Sequence, residues 1–132
     1  MGQTGLFIGW GAAVPDREVK GLEVFDESLV YWRQLKREGR IEDFQVVLLY
    51  PHASNLEGFA LLHATVDQLN ALDADEEFLR LTMMQELVSE SFRVVRAKLD
   101  GGLDEQIRMY RSTIAELSRE RDEERVHVYP GG

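Results

Sequence analysis

In this chain of 132 residues only three side chains, the histidines at 52, 63 and 127, exchange a proton readily near neutral pH. His63 sits in the apolar run FALLHA, where a strand-borne imidazole facing an enclosed space serves as a base or ligand contact. The other reading is a hydrogen-bonded histidine of a core or interface. His52 follows Pro51 in a loop, and loops carry much of the binding and catalysis in folded proteins. Most loop histidines are simply solvated. His127 lies in a charged tail and is expected to be idle. Ten residues separate His52 from His63, so the two could meet across a hairpin and, with Glu57 or Asp67, form a set of two histidines and a carboxylate. No HxH or HExxH spacing accompanies them, and no metal site is expected. Trp10, Trp32, Tyr31, Tyr50 and Phe59 are the right types to line an apolar pocket for an aromatic or lipophilic ligand, although such residues more often form the core. The candidate ligand contacts are therefore Trp10, Tyr31, His52, Phe59 and His63, with no catalytic residue assigned.

Several chemistries lack their residues. There are no cysteines, hence no thiolate nucleophile, disulfide or cysteine metal site. No defensible Ser/His/Asp arrangement or phosphate-binding glycine loop is present. Gly9-Trp10-Gly11 reads as G-x-G, but Val14 occupies the place of the third glycine and the preceding strand lacks a βαβ context, so no dinucleotide cofactor is expected. No other cofactor is expected either. A formal charge of −9 and a pI near 4.8 oppose binding to nucleic acid or an anionic membrane. No apolar stretch approaches the ~18 residues of a membrane span. The opening MGQTGLFIGWGAAV has neither a basic leader nor a long apolar centre, so a bacterial-type cytoplasmic location is expected. Met1-Gly2 begins a myristoylation pattern, but Leu6 stands where that pattern wants Ser or Thr.

The elements that would position these side chains centre on residues 41–64. There IEDFQVVLLY, PHASNLEG and FALLHA read as strand, turn and strand. A short strand over 6–10 comes first, with Gly9 and Gly11 marking a bend or a close backbone approach around Trp10. A helix over about 17–38 follows, with Pro15 suited to its first turn and Leu22, Phe25, Leu29, Trp32 and Leu35 spaced as one apolar stripe. Val24, Val30 and Tyr31 widen that stripe. Gly39 suits the position just past its end. Strands are expected over 44–50 and 59–64. Thr65 can cap a helix from about 66, which Asp73–Asp75 should interrupt. A second piece over about 76–88 carries Phe78, Leu81, Met84 and Val88. A strand over 92–99 alternates more clearly, as an edge or partly wet strand does. A last helix over 103–121 carries a narrow seam of Leu103, Ile107, Tyr110, Ile114 and Leu117. The expected organisation is one α+β domain over 1–100, the added helix over 101–121 and a charged tail over 122–132.

The five residues Val46-Val47-Leu48-Leu49-Tyr50 do not alternate, as a strand with one wet face should. Two helices cover only one face of a small sheet, so the other face requires a further layer. In a chain this short that layer is expected to be a second copy, giving a homodimer.

The order β-α-β-β-α-β is the ferredoxin-like arrangement. Together with Phe7-Ile8-Gly9-Trp10-Gly11, Lys36-Arg37-Glu38-Gly39-Arg40-Ile41-Glu42, Leu49-Tyr50-Pro51-His52 and Leu56-Glu57-Gly58-Phe59, it resembles the dimeric α+β barrel superfamily and its uncharacterised bacterial members. The resemblance covers roughly residues 6–99. It implies a ferredoxin-like strand order and a barrel built from two facing sheets. That superfamily includes small monooxygenases without cofactors (the antibiotic-biosynthesis type), haem-handling enzymes, YCII-like proteins and ligand-binding regulators, so fold alone does not select an activity. YCII-like proteins are associated with a His–Asp pair, and no Asp here is assigned to that role. Three functional readings follow: a homodimeric domain binding a small apolar or aromatic molecule, a cofactor-independent oxygenase or isomerase using His63 or His52 as base, and an assembly protein using the last helix.

Overall fold

The computed structural model describes residues 4–128, with side chains to residue 124. The chain divides into two compact units, residues 1–99 and 100–132. The first holds β1 (Thr4–Trp10), α1 (Glu18–Arg37), β2 (Asp43–Leu48), β3 (Gly58–Ala64), α2 (Val66–Asp73), α3 (Glu76–Val88) and β4 (Arg93–Lys98). The second is α4 (Gly101–Val128), which continues past the end expected at 121; the His127 side chain lies outside the described residues. Along α4 the residues Leu103, Ile107, Tyr110, Ile114 and Leu117 all remain exposed.

The strands form one antiparallel sheet in the order β2-β3-β1-β4, the ferredoxin-like arrangement. Each helical crossover joins two strands with a third between them: α1 spans from β1 to β2 over β3, and α2 with α3 spans from β3 to β4 over β1. The pleat sorts side chains by a period of two. Leu6, Ile8 and Trp10 of β1 share one face with Ala60 and Leu62 of β3, and this face is buried under the helices with Trp32, Leu35, Leu69, Leu72, Phe78 and Leu81.

The opposite face presents Phe7, Phe59, Leu61, Val47 and Val95 in register. The Phe7 and Phe59 rings stack across the strands with centroids 5.0 Å apart. The three helices of this unit all lie against the other face. The apolar run in β2 therefore splits: Val46 packs on the core and Val47 joins the open face. The strand ends at Leu48, two residues short of expectation, and Tyr50 is exposed in the loop. β4 is an edge strand, as its alternation indicates, and β2 is the other edge.

Local rules explain most of the boundaries. The C-terminus of α1 is a Schellman motif: Gly39 N–H donates to Lys36 O at 3.1 Å and Arg40 N–H to Leu35 O at 2.9 Å, with Gly39 at φ +71°. Gly39 is the residue type that tolerates this left-handed conformation. Thr65 caps α2 through a reciprocal capping box with Gln68. The break at 74–75 is real, and Asp75 is the N-cap of α3.

Two local expectations change. Pro15 lies ahead of α1 rather than in its first turn, in a turn closed by Arg17 N–H donating to Val14 O at 2.9 Å. The buried face of α1 is Val24, Ser28, Tyr31, Trp32 and Leu35, with Phe25 and Leu29 at its margin, while Leu22 is 68% exposed and Val30 58% exposed. The helix is rotated from its most apolar spacing, and Ser28 thereby faces α3, where it meets Gln85.

Candidate functional site

β1 delivers Trp10 to the end of the sheet, where three loops are laced together by backbone bonds. Gly11 N–H donates to Glu90 O at 2.8 Å, Glu90 N–H to Ala12 O at 2.8 Å, and Val14 N–H to Val88 O at 2.9 Å. From the hairpin loop, Glu57 N–H donates to Trp10 O at 2.8 Å. Asn55 closes the third side: its Oδ1 accepts from Ala12 N–H at 3.1 Å and its Nδ2 donates to Ser91 Oγ at 3.0 Å. Gly11 permits this convergence, since a Cβ there would stand 2.2 Å from Asn55 Oδ1 and 2.6 Å from Glu90 O. The close backbone approach suggested by the glycines around Trp10 is thus located.

Beside these loops, between the start of α1 and the end of α3, lies a cleft of about 220 Å³. Trp10, Phe25, Leu22, Leu48 and Val88 supply its apolar wall, with Gly21 opening room on α1. The Trp10 and Phe25 rings meet edge-on with centroids 5.5 Å apart. Glu18, Glu57, Gln85 and Ser89 are the polar lining, both carboxylates being exposed.

Gln85 is the unusual member, because it is only 5% exposed. Its Nε2 donates to Ser28 Oγ at 3.2 Å, and Ser28 in turn donates its hydroxyl proton to Val24 O at 2.8 Å. A serine hydroxyl has a single proton, so Ser28 must accept from the Gln85 amide, which orients that amide. Gln85 Oε1 then has no protein donor among the described residues. No fully buried side-chain polar atom in the described residues lacks a partner, so this oxygen keeps its contact with solvent, and the cleft is the solvent space that Gln85 lines.

The five residues singled out from the sequence do not converge. Trp10 is in the cleft. His52 shares with it a neighbouring hollow formed by Leu49, Tyr50 and Asn55. Both of its ring nitrogens brace the loop: Nδ1 accepts from Ser54 N–H at 3.1 Å, so the proton is on Nε2, which donates to Leu56 O at 2.7 Å. That leaves no free nitrogen to act as a base. Tyr31 is buried at the far end of the seam between α1 and α3. Its hydroxyl donates to Asp75 Oδ2 at 2.7 Å, Arg40 Nη2 donates to the same oxygen at 2.5 Å, and Asp75 Oδ1 accepts from Glu77 N–H at 3.1 Å. Burial, reinforced by the Asp75 hydrogen bond and charge, pushes the Tyr31 phenol well above its ordinary range. The Tyr31 hydrogen bond, with those from Arg40 and Glu77, holds Asp75 below its ordinary value. This cluster fastens α1 to the start of α3; a phenol held protonated at neutral pH is not a base.

Phe59 and His63 stand on the open sheet face. His63 is cross-strand from Gly5 and Asp43, near the end of β3 remote from the loop of His52. The strand between them keeps the two histidines apart, and no group of three His, Asp or Glu among the described residues could hold a metal. The cleft residues overlooked from sequence are Glu18, Phe25, Gln85 and Ser89. Gln85 takes the core position between Leu81 and Val88 that was expected of Met84.

No protein-family model matches the chain, and no curated protein matches it in sequence. Solved structures do share its fold. A dimeric ferredoxin-like protein of unknown function from Bacteroides fragilis is 14% identical, with a TM-score of 0.53 over 74% of this chain and 97% of its own. A dimeric ferredoxin-like protein of unknown function from Jannaschia sp. is 10% identical, with a TM-score of 0.56 over 74% of this chain and 98% of its own. These likenesses establish the α+β ferredoxin-like fold.

Proposed function

We propose that this chain is a homodimeric domain that binds a small apolar or aromatic molecule in the cleft at Trp10, with no catalytic step assigned. The observation that carries the reading is the cleft itself, an apolar space of about 220 Å³ with a few converging polar groups at the end of a rigid sheet. Dimerisation is supported by the unpartnered face of Phe7, Phe59, Leu61, Val47 and Val95, and by the dimeric state of both ferredoxin-like neighbours. Burying such a face is favourable at about 25 cal/mol per Å² of apolar surface. The enzyme reading loses ground, since neither His52 nor His63 lines the cleft.

Light scattering over a dilution series tests the dimer: a species of twice the 15.1 kDa subunit is expected, and Leu61→Lys should convert it to a monomer. A wild type that is monomeric at all concentrations refutes it. Thermal shift against a panel of aromatic and lipophilic molecules of every charge type tests binding, because a ligand of the native state raises the melting temperature. The binding reading fails if no compound stabilises the wild type, or if Gly21→Leu, which fills the cleft, leaves every shift unchanged.

A further inference from the structure

Resting on the reading of the cleft as a binding site, we propose that its ligand is a small amine: an ammonium group on a body of about one ring, with an N–H donated to Gln85 Oε1. The polar wall carries the argument. Gln85 is 5% exposed and anchored through Ser28, and it offers the cleft an acceptor that no protein group satisfies. This oxygen meets solvent through the cleft, so the partner it takes there is a water or a ligand donor.

The charged groups at the cleft share one sign. Glu18 and Glu57 line it and neither forms an ion pair among the described residues, whereas no Lys or Arg lines it. Two cations stand near its rim without lining it: Arg17, whose guanidinium donates to Leu87 O at 2.6 Å, and Lys20, paired with Glu23 at 3.4 Å. The remaining donors at the wall, the Ser89 hydroxyl and the Trp10 indole N–H, are neutral. With a formal charge of −9 on the whole chain, the site repels anions and favours a cation. The apolar wall of Trp10, Phe25 and Val88 then takes the ligand body. Size limits that body: an apolar cavity of about 150 Å³ accommodates benzene. A space of 220 Å³ holds a ring and a short arm.

The test is an amide-resolved NMR titration of the full chain with three probes of matched size: 2-phenylethylamine, 2-phenylethanol and phenylacetate. The amine should shift Gly11, Gly21, Ser89 and the Gln85 side-chain amide, and should bind at least tenfold more tightly than phenylacetate. Gln85→Leu should weaken the amine about tenfold, the loss expected for one hydrogen bond to a charged group. Glu57→Gln, an exposed change that does not threaten folding, should weaken the amine severalfold and leave 2-phenylethanol unchanged; it decides the matter should Gln85→Leu not fold. Alcohol or carboxylate binding as tightly as the amine at these amides overturns the ligand class and leaves the binding reading standing. An amine affinity unmoved by these substitutions also overturns it. Absence of shifts with all three probes overturns both.

Discussion

Replacing Asp75 by Ala removes three hydrogen bonds at once, and their worth can be worked from the structure. Asp75 caps α3 through Glu77 N–H, accepts the buried Tyr31 hydroxyl and pairs with Arg40. Loss of an N-cap costs about 1 kcal/mol. A buried hydroxyl left without its acceptor costs about 1–3 kcal/mol. The Arg40 side chain is 38% exposed, so its pairing is screened and adds well under 1 kcal/mol. Asp75→Ala should therefore destabilise the protein by about 3 kcal/mol in urea unfolding at fixed protein concentration. Tyr31→Phe, which keeps the cap and the Arg40 pair, should cost about 1 kcal/mol. The double variant should cost less than the sum, because without the hydroxyl there is nothing left unpaired when Asp75 is removed. Additive losses, or a loss below about 1 kcal/mol for Asp75→Ala, would refute the account of this cluster as a fastening between α1 and α3.

Three further outcomes follow from the same geometry. The folded-state value of Asp75 lies below its ordinary 3.8, so the stability it contributes is present above pH 3.8 and is lost as the pH falls through the lower folded value; the penalty of Asp75→Asn should shrink in that acid window, as read by denaturant midpoints. Tyr31 shifts the opposite way: its contribution is present below its ordinary 10.0 and declines as the pH rises above it, so wild type should lose stability above pH 10 faster than Tyr31→Phe. Gly11→Ala must displace Glu90 O or Asn55, and should cost about 1–3 kcal/mol and broaden the NMR signals of the three loops around the cleft; an unchanged unfolding midpoint would show that the loops yield freely.

The element order was legible in the residues because it depends on local rules. Periodicity separated strands from helices, Gly39 marked the left-handed end of α1, Thr65 marked the start of α2, and Asp73–Asp75 marked the break before α3. Each of these acts within a few positions along the chain. The glycines flanking Trp10 announced a close approach without saying to what. What approaches is Glu90 and Asn55, brought from distant loops.

The site belongs to the tertiary structure. Its key pair, Gln85 and Ser28, is 57 residues apart in sequence, and the Asn55–Ser91 latch spans 36. Tyr31 meets Asp75 across 44 residues. Aromatic composition drew attention to Trp10, Tyr31 and Phe59 alike. The pleat then sent Trp10 to the helix-covered face and Phe59 to the open one, and the rotation of α1 turned Tyr31 toward the start of α3. A residue's type states which interactions it can make; which of them it makes is decided by the partners that packing places within hydrogen-bond reach, and that depends on the whole sheet closing at once.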